Sequence, residues 1–105
     1  MFNSEWLRNE YNNKNLIVVV SNKPRRNGHE AHLLRKDLRS GDYYEISKKT
    51  GKEIKNYYCW WQIEDWIKDG SYRLIDLKNG KLNDFSWFWK DWFFTELIEA
   101  VREVE

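Results

Sequence analysis

The run Leu16–Val20 (LIVVV) decides the fold. It is continuous, apolar and mostly β-branched. Branching at Cβ restricts side-chain rotamers in a helix and favours the extended chain. A short apolar run with no polar member reads as a buried central strand. It is far below the ~20 residues that a membrane-spanning helix needs. Working upstream, Asn3 and Ser4 are N-cap residues for a short helix that offers Trp6, Leu7 and Tyr11 for packing. Working downstream, Ser21–Gly28 (SNKPRRNG) reads as a loop from its Asn, Pro and Gly content.

Beyond that loop the pattern predicts more strand than helix. His29–Arg39 fits either a helix, with Ala31, Leu34 and Leu38 on one face and Gly41 past its end, or a returning strand. Tyr43–Lys49 and Glu53–Tyr58 flank Thr50 and Gly51 as a hairpin with Gly in the left-handed position. Tyr44 and Ile46 alternate with Tyr43, Glu45 and Ser47. Trp60–Asp69 predicts a short helix closed by Gly70, with Cys59, Trp60, Ile63, Trp66 and Ile67 in its buried arc. Trp61 falls on the opposite side with Glu64, Asp65 and Lys68. Ser71–Leu77 predicts a strand, and Asn79-Gly80 a tight turn into a return strand near Leu82. Phe85–Trp89 (FSWFW) reads as strand or irregular chain. A terminal amphipathic helix follows, with Asp91 as its N-cap, Phe93, Phe94, Leu97, Ile98, Val101 and Val104 inward, and Trp92 among the charges. The class is α+β: one domain over residues 1–105, a mainly antiparallel sheet of four to five strands, a short central helix and a C-terminal amphipathic helix packed on it.

Composition bounds the function. Eighteen of 105 residues are aromatic, seven of them Trp. A folded chain of 13.0 kDa buries roughly 12,500 Å². Eighteen rings at about 200 Å² each need about 3,600 Å². All of them fit inside, so ring position and not ring number must identify an exposed surface. Disorder is excluded by the aromatic and branched apolar content. A single Cys excludes a disulfide framework and a Cys-rich zinc site. The net charge of +1 hides an asymmetry: residues 14–55 carry +6 and residues 56–105 carry −4. Phe2–Tyr11 has no apolar h-region, which sets a cytoplasmic location as the expectation. Ten Asn, eleven Lys and seven Ile against two Ala suggest an A/T-rich genome, such as that of a bacterium or phage.

Catalytic patterns are weak. His29 and His32 share a helical face, but two further ligands for a zinc are missing; both read as surface residues beside the basic loop, and no metal or cofactor is expected. Arg26 and His32 have the spacing of an Arg-x(4–6)-His ribonuclease motif; Asn27-Gly28 breaks the continuous helix that motif requires. Cys59 is expected on a buried helix face, where thiols are inert. The five glycines are isolated turn residues and build no phosphate loop. No enzyme activity is expected; the enzymatic alternative is a small nuclease or toxin centred on His29 or His32.

Two surfaces remain. One is basic: Lys23, Arg25, Arg26, Arg35, Lys36 and Arg39, with hairpin lysines and the interleaved Tyr43, Tyr44, Tyr57 and Tyr58. It suits phosphates with stacked bases, or an acidic protein. The other is aromatic: Trp61 and Trp92, joined by Trp87 and Trp89, because a strand at Phe85–Trp89 cannot turn every ring inward. Exposed Trp supplies large rigid area and one N–H donor at interfaces. These features predict a non-catalytic binding protein that regulates or inhibits a macromolecular partner, taken as a nucleic-acid-handling protein. Direct nucleic-acid binding through the basic loop is the alternative. A homo-oligomer is compatible with the sequence, and no membrane partner is expected. In size and composition alone the chain is similar to small phage-borne inhibitors of host nucleic-acid machinery, anti-CRISPR proteins among them.

Overall fold

A computed structural model describes residues 3–23, 30–80 and 91–103. The elements are α1 (Ser4–Asn12), β1 (Leu16–Ser21), β2 (Ala31–Lys36), β3 (Tyr43–Ile46), β4 (Glu53–Tyr58), α2 (Trp60–Lys68), β5 (Tyr72–Leu74) and α3 (Trp92–Arg102). The five strands form one antiparallel sheet in the order β4-β3-β2-β1-β5. The class is therefore α+β, with the LIVVV strand inside the sheet.

Alternation along the strands builds two cores. Leu16, Val18 and Val20 of β1, Ala31 and Leu33 of β2 and Ile46 of β3 join Leu7 of α1 and Phe93, Phe94, Leu97 and Val101 of α3. Val19, Leu34 and Tyr72 point the other way, against Ile63 of α2 and the half-buried Trp66 and Ile67. Among the described residues, one face thus carries two helices and the other carries the nine-residue α2. The first face is also tied by polar groups. Arg8 donates to the Ala100 carbonyl at 3.1 Å and pairs with Glu103 at 2.8 Å. The Tyr11 hydroxyl accepts from Leu77 N at 2.9 Å, and Arg102 Nε donates to the Leu77 carbonyl at 2.8 Å.

Caps follow the sequence at one helix and depart from it at another. Asn3 Oδ1 accepts from Glu5 N at 2.7 Å and Trp6 N at 3.3 Å, which caps α1. Asp91 occupies the N-cap position of α3, but its side chain makes no capping bond. The first-turn N–H groups of Phe93 and Phe94 donate instead to the carbonyls of Lys49 and Lys48 in the β3–β4 loop, at 3.3 and 2.9 Å. A tertiary contact satisfies donors that a local cap would otherwise meet.

Three other expectations change. His29–Arg39 resolves as strand: Ala31–Lys36 pairs with both β1 and β3, and Leu38 stands in the β2–β3 turn, 75% exposed. The strand at Ser71–Leu77 shrinks to Tyr72–Leu74. Asn79-Gly80 makes no type I′ turn, which needs positive φ at Asn79; among the described non-glycine residues only Lys14 has one. Asp76 organises that loop by accepting from Lys78 N and Asn79 N at 2.9 and 3.2 Å. The return strand near Leu82 and the FSWFW segment lie outside the described residues. No helix among the described residues is long and apolar enough to cross a membrane.

Leu33 is fully buried at the centre of the larger core. Leu33→Ala removes its packing and leaves a cavity, so unfolding stability should fall by about 2–5 kcal/mol in a urea titration.

Candidate functional site

The end of β4 positions α2. Chain direction changes at Cys59, a half-buried free thiol. Its N–H donates to Gln62 Oε1 at 2.8 Å, and Trp60 N donates to Asp42 Oδ1 at 2.9 Å. The first bond caps the helix locally, and the second ties its first turn to the β2–β3 connection. Farther along, Trp66 stacks on Tyr72 (centroids 4.7 Å apart) and meets Tyr58 edge-on at 5.2 Å. The helix is therefore held at both ends.

This mounting leaves two adjacent indoles outside the core. Trp61 is 51% exposed, on the polar side where helical periodicity places it. Trp60, expected inside, is 50% exposed. Helical phase does turn it toward the sheet, but its neighbours there include Ser40 and Gly41 of a turn. Small turn residues offer no surface matched to an indole. The phase of Trp60 is correct; the surface opposite it is too small.

Behind Trp60 runs a groove of about 640 Å³ between α2 and the sheet. Ile17, Tyr43, Ile63, Ile67 and Leu74 supply apolar lining, and Lys14, Lys36 and Lys68 stand against a single carboxylate, Glu64. Burial, and then the charge of Glu64, raises the pKa of the Tyr43 phenol. The groove therefore combines an apolar lining with excess positive charge.

A second cluster lies deeper on the same face. His32, 9% exposed, sits between two carboxylates: Glu30 Oε1 is 3.1 Å from Nε2 and Glu45 Oε2 is 3.0 Å from Nδ1. The Glu45 approach lies off the N–H direction, so it is an ion-pair contact and not an aligned hydrogen bond. Tyr72 donates to Glu30 at 3.0 Å, while Tyr58 and Asn56 donate to Glu45 at 3.0 and 3.2 Å. The carboxylates approach opposite sides of the ring, so they converge on the imidazole and not on a common metal position. Burial pushes the Glu45 carboxyl up, but the close approach and charge of His32, with the hydrogen bonds from Tyr58 and Asn56, outweigh it and leave the pKa lowered. Burial and then Glu45 push the Tyr58 phenol up to about 12. The expectation of a surface His32 is corrected here. Strand alternation gave the missing signal, because His32 shares the inward side with Leu34 and faces the inward side of Glu45.

The remaining predicted residues do not assemble. Trp92 is 52% exposed, but it opens α3 on the other face, beside Lys48 and Lys49. Trp61 belongs to the helix anchored at Asp42, at the opposite end of β3. The sheet and roughly 13 Å of strand separate them, at about 3.3 Å per residue. The basic set divides as well. Lys23 follows the end of β1 that pairs with Ala31, while Arg35 and Lys36 close β2 at the other end. Arg35 lies over the Trp6 ring at 4.9 Å and reaches Glu10 at 3.5 Å. Arg39 is exposed in the turn, with its backbone N–H held by Asp37 at 2.9 Å. Lys48 of the hairpin donates to the Ala31 carbonyl at 2.9 Å. Arg25, Arg26, His29, Trp87 and Trp89 lie outside the described residues.

Compared with known protein families, curated proteins and solved structures, the chain matches none.

Because the Glu45 carboxyl is held below its ordinary 4.5 in the folded state, its ionisation stabilises the fold above that pH. The contribution disappears as pH falls through the lowered folded value. Thermal unfolding scanned from pH 7 to 3 should show this acid-side loss, and Glu45→Gln should flatten it.

Proposed function

We propose that this is a non-catalytic binding protein that regulates or inhibits a macromolecular partner, a nucleic-acid-handling protein, and that it docks through α2. The observation that carries the reading is the pair Trp60 and Trp61, both about half exposed on a helix whose first turn and Trp66 are fixed. Two large rigid rings on a pre-ordered helix lose little conformational entropy on binding. Nothing in the core requires either indole to face solvent.

Two observations support a protein partner over direct nucleic-acid contact. Lys23 and Arg39 are at opposite ends of the sheet, and Arg35 is engaged by Glu10 and Trp6. A phosphate backbone is bound by cations that track it together. A nuclease or toxin reading centred on His32 is disfavoured by its enclosure, since a general base must reach the proton it removes. The nucleic-acid-handling class of the partner rests on the likeness in size and composition to small phage-borne inhibitors.

Affinity capture from a bacterial lysate, with and without nuclease, tests this. The reading expects a protein partner retained after nuclease treatment, reduced at least tenfold by Trp61→Ala and unchanged by Trp92→Ala, both variants remaining folded by circular dichroism. Capture abolished by nuclease, or insensitive to Trp61→Ala, contradicts it.

A further inference from the structure

Lys14 stands where a helix ordinarily places glycine. Two backbone bonds close α1: Asn15 N donates to Glu10 O at 2.8 Å, and Lys14 N donates to Tyr11 O at 3.0 Å. With Asn13 as the C-cap, these bonds form a Schellman motif, which puts the next residue in the left-handed region. Lys14 accordingly has φ of 62°, the one positive value among the described non-glycine residues. Glycine suits that conformation best, and asparagine tolerates it better than lysine. Asn12, Asn13 and Asn15 surround the position, yet a lysine holds it. The backbone gives no reason for this choice, so the reason is sought in the side chain.

Lys14 lines the groove of about 640 Å³ between α2 and the sheet, together with Lys36 at the end of β2 and Lys68 in the last turn of α2. Three separate elements thus bring their cations to one depression. Among the described residues, no carboxylate lies within ion-pair distance of these three ammonium groups. Arg8 and Arg35, by contrast, pair with Glu103 and Glu10. The surface between the lysines is apolar and reachable. Leu74 and Trp60 are 55% and 50% exposed, and Ile17 and Ile67 are half-buried. Such a surface is complementary to apolar side chains that carry carboxylates beside them. A phosphate backbone would satisfy the lysines but would leave the isoleucine and leucine side chains without apolar contact.

We propose that this groove receives an acidic segment of the protein partner, in which leucine-sized side chains lie next to carboxylates. The apolar side chains would pack on Ile17, Ile67 and Leu74, against Trp60, and the carboxylates would reach Lys14, Lys36 and Lys68. Lys14 is a specificity residue of the site, kept at a position where the fold alone favours glycine. The proposal rests on the reading above that a protein docks through α2, and it names the chemistry of the segment that docks.

The probes are a short capped peptide of leucines flanked by glutamates, the same peptide with lysines in place of the glutamates, and an oligothymidine. Binding to the full chain is followed by amide chemical shifts. The proposal expects the Glu–Leu peptide alone to bind and to shift Ile17, Ile67 and Leu74. Lys14→Gly should melt at the same or a higher temperature, because glycine relieves the left-handed position, yet bind the peptide at least threefold more weakly. Lys36→Gln combined with Lys68→Gln, folded by circular dichroism, should weaken it at least tenfold, whereas Lys78→Gln, outside the groove, should not. Equal binding of the Lys–Leu peptide, binding of oligothymidine alone, shifts confined to other regions, or full affinity in a stable Lys14→Gly variant overturns it. Failure of both peptides with partner capture intact overturns the acidic-segment site and leaves the regulator reading standing. Peptide binding in the groove without partner capture supports the site and removes the regulator reading.

Discussion

The structure depends on the two-sided burial of one strand. Leu16, Val18 and Val20 enter one core, Val19 enters the other with Ile17 packed against it, and β2 and β5 hydrogen-bond to its edges. A strand with apolar groups on both faces forces the chain to supply cover on both. The cover supplied is unequal. α1 and α3 enclose one face, held together through Arg8, Tyr11 and Arg102. Among the described residues, the other face receives the nine residues of α2. The half-exposed Trp60 and Trp61 stand on that helix.

The face covered by α2 encloses a charged cluster within its core. His32 and Glu45 occupy positions on the inward side of β2 and β3, beneath Trp66, Tyr58 and Tyr72. Such groups are tolerated in the interior only when paired, and the phenols of Tyr58 and Tyr72 complete the pairing. This arrangement fixes α2 through Trp66 and leaves its first turn overhanging the turn at Ser40–Gly41. The helix is thus rigid where its indoles are exposed. An aromatic surface that is ordered before binding avoids the ordering cost that a mobile loop would incur.

Much of this fold was legible from local pattern. The continuous LIVVV run identified the inner strand, the Tyr43–Tyr58 alternation identified the hairpin, and the periodicity of Phe93–Val101 identified α3. The helix–strand ambiguity of His29–Arg39 was not resolvable locally, because Ala31, Leu33 and Leu34 satisfy either period and only pairing with β1 decides. The site was less legible. Periodicity placed Trp61 and Trp92 outside correctly, but it carries no information about which helices share a face, and these two do not. Trp60 was misassigned because phase reports direction and not the size of the surface opposite.

The account's central claim is that binding occurs on the α2 face of the sheet. Amide hydrogen exchange, measured on the protein alone and on its captured complex, tests that claim most directly. The account predicts new protection in the first turn of α2, with the α3 N-terminus around Trp92 unchanged. Protection confined to α3 or to the β2–β3 turn around Arg39, with α2 unaltered, would contradict it.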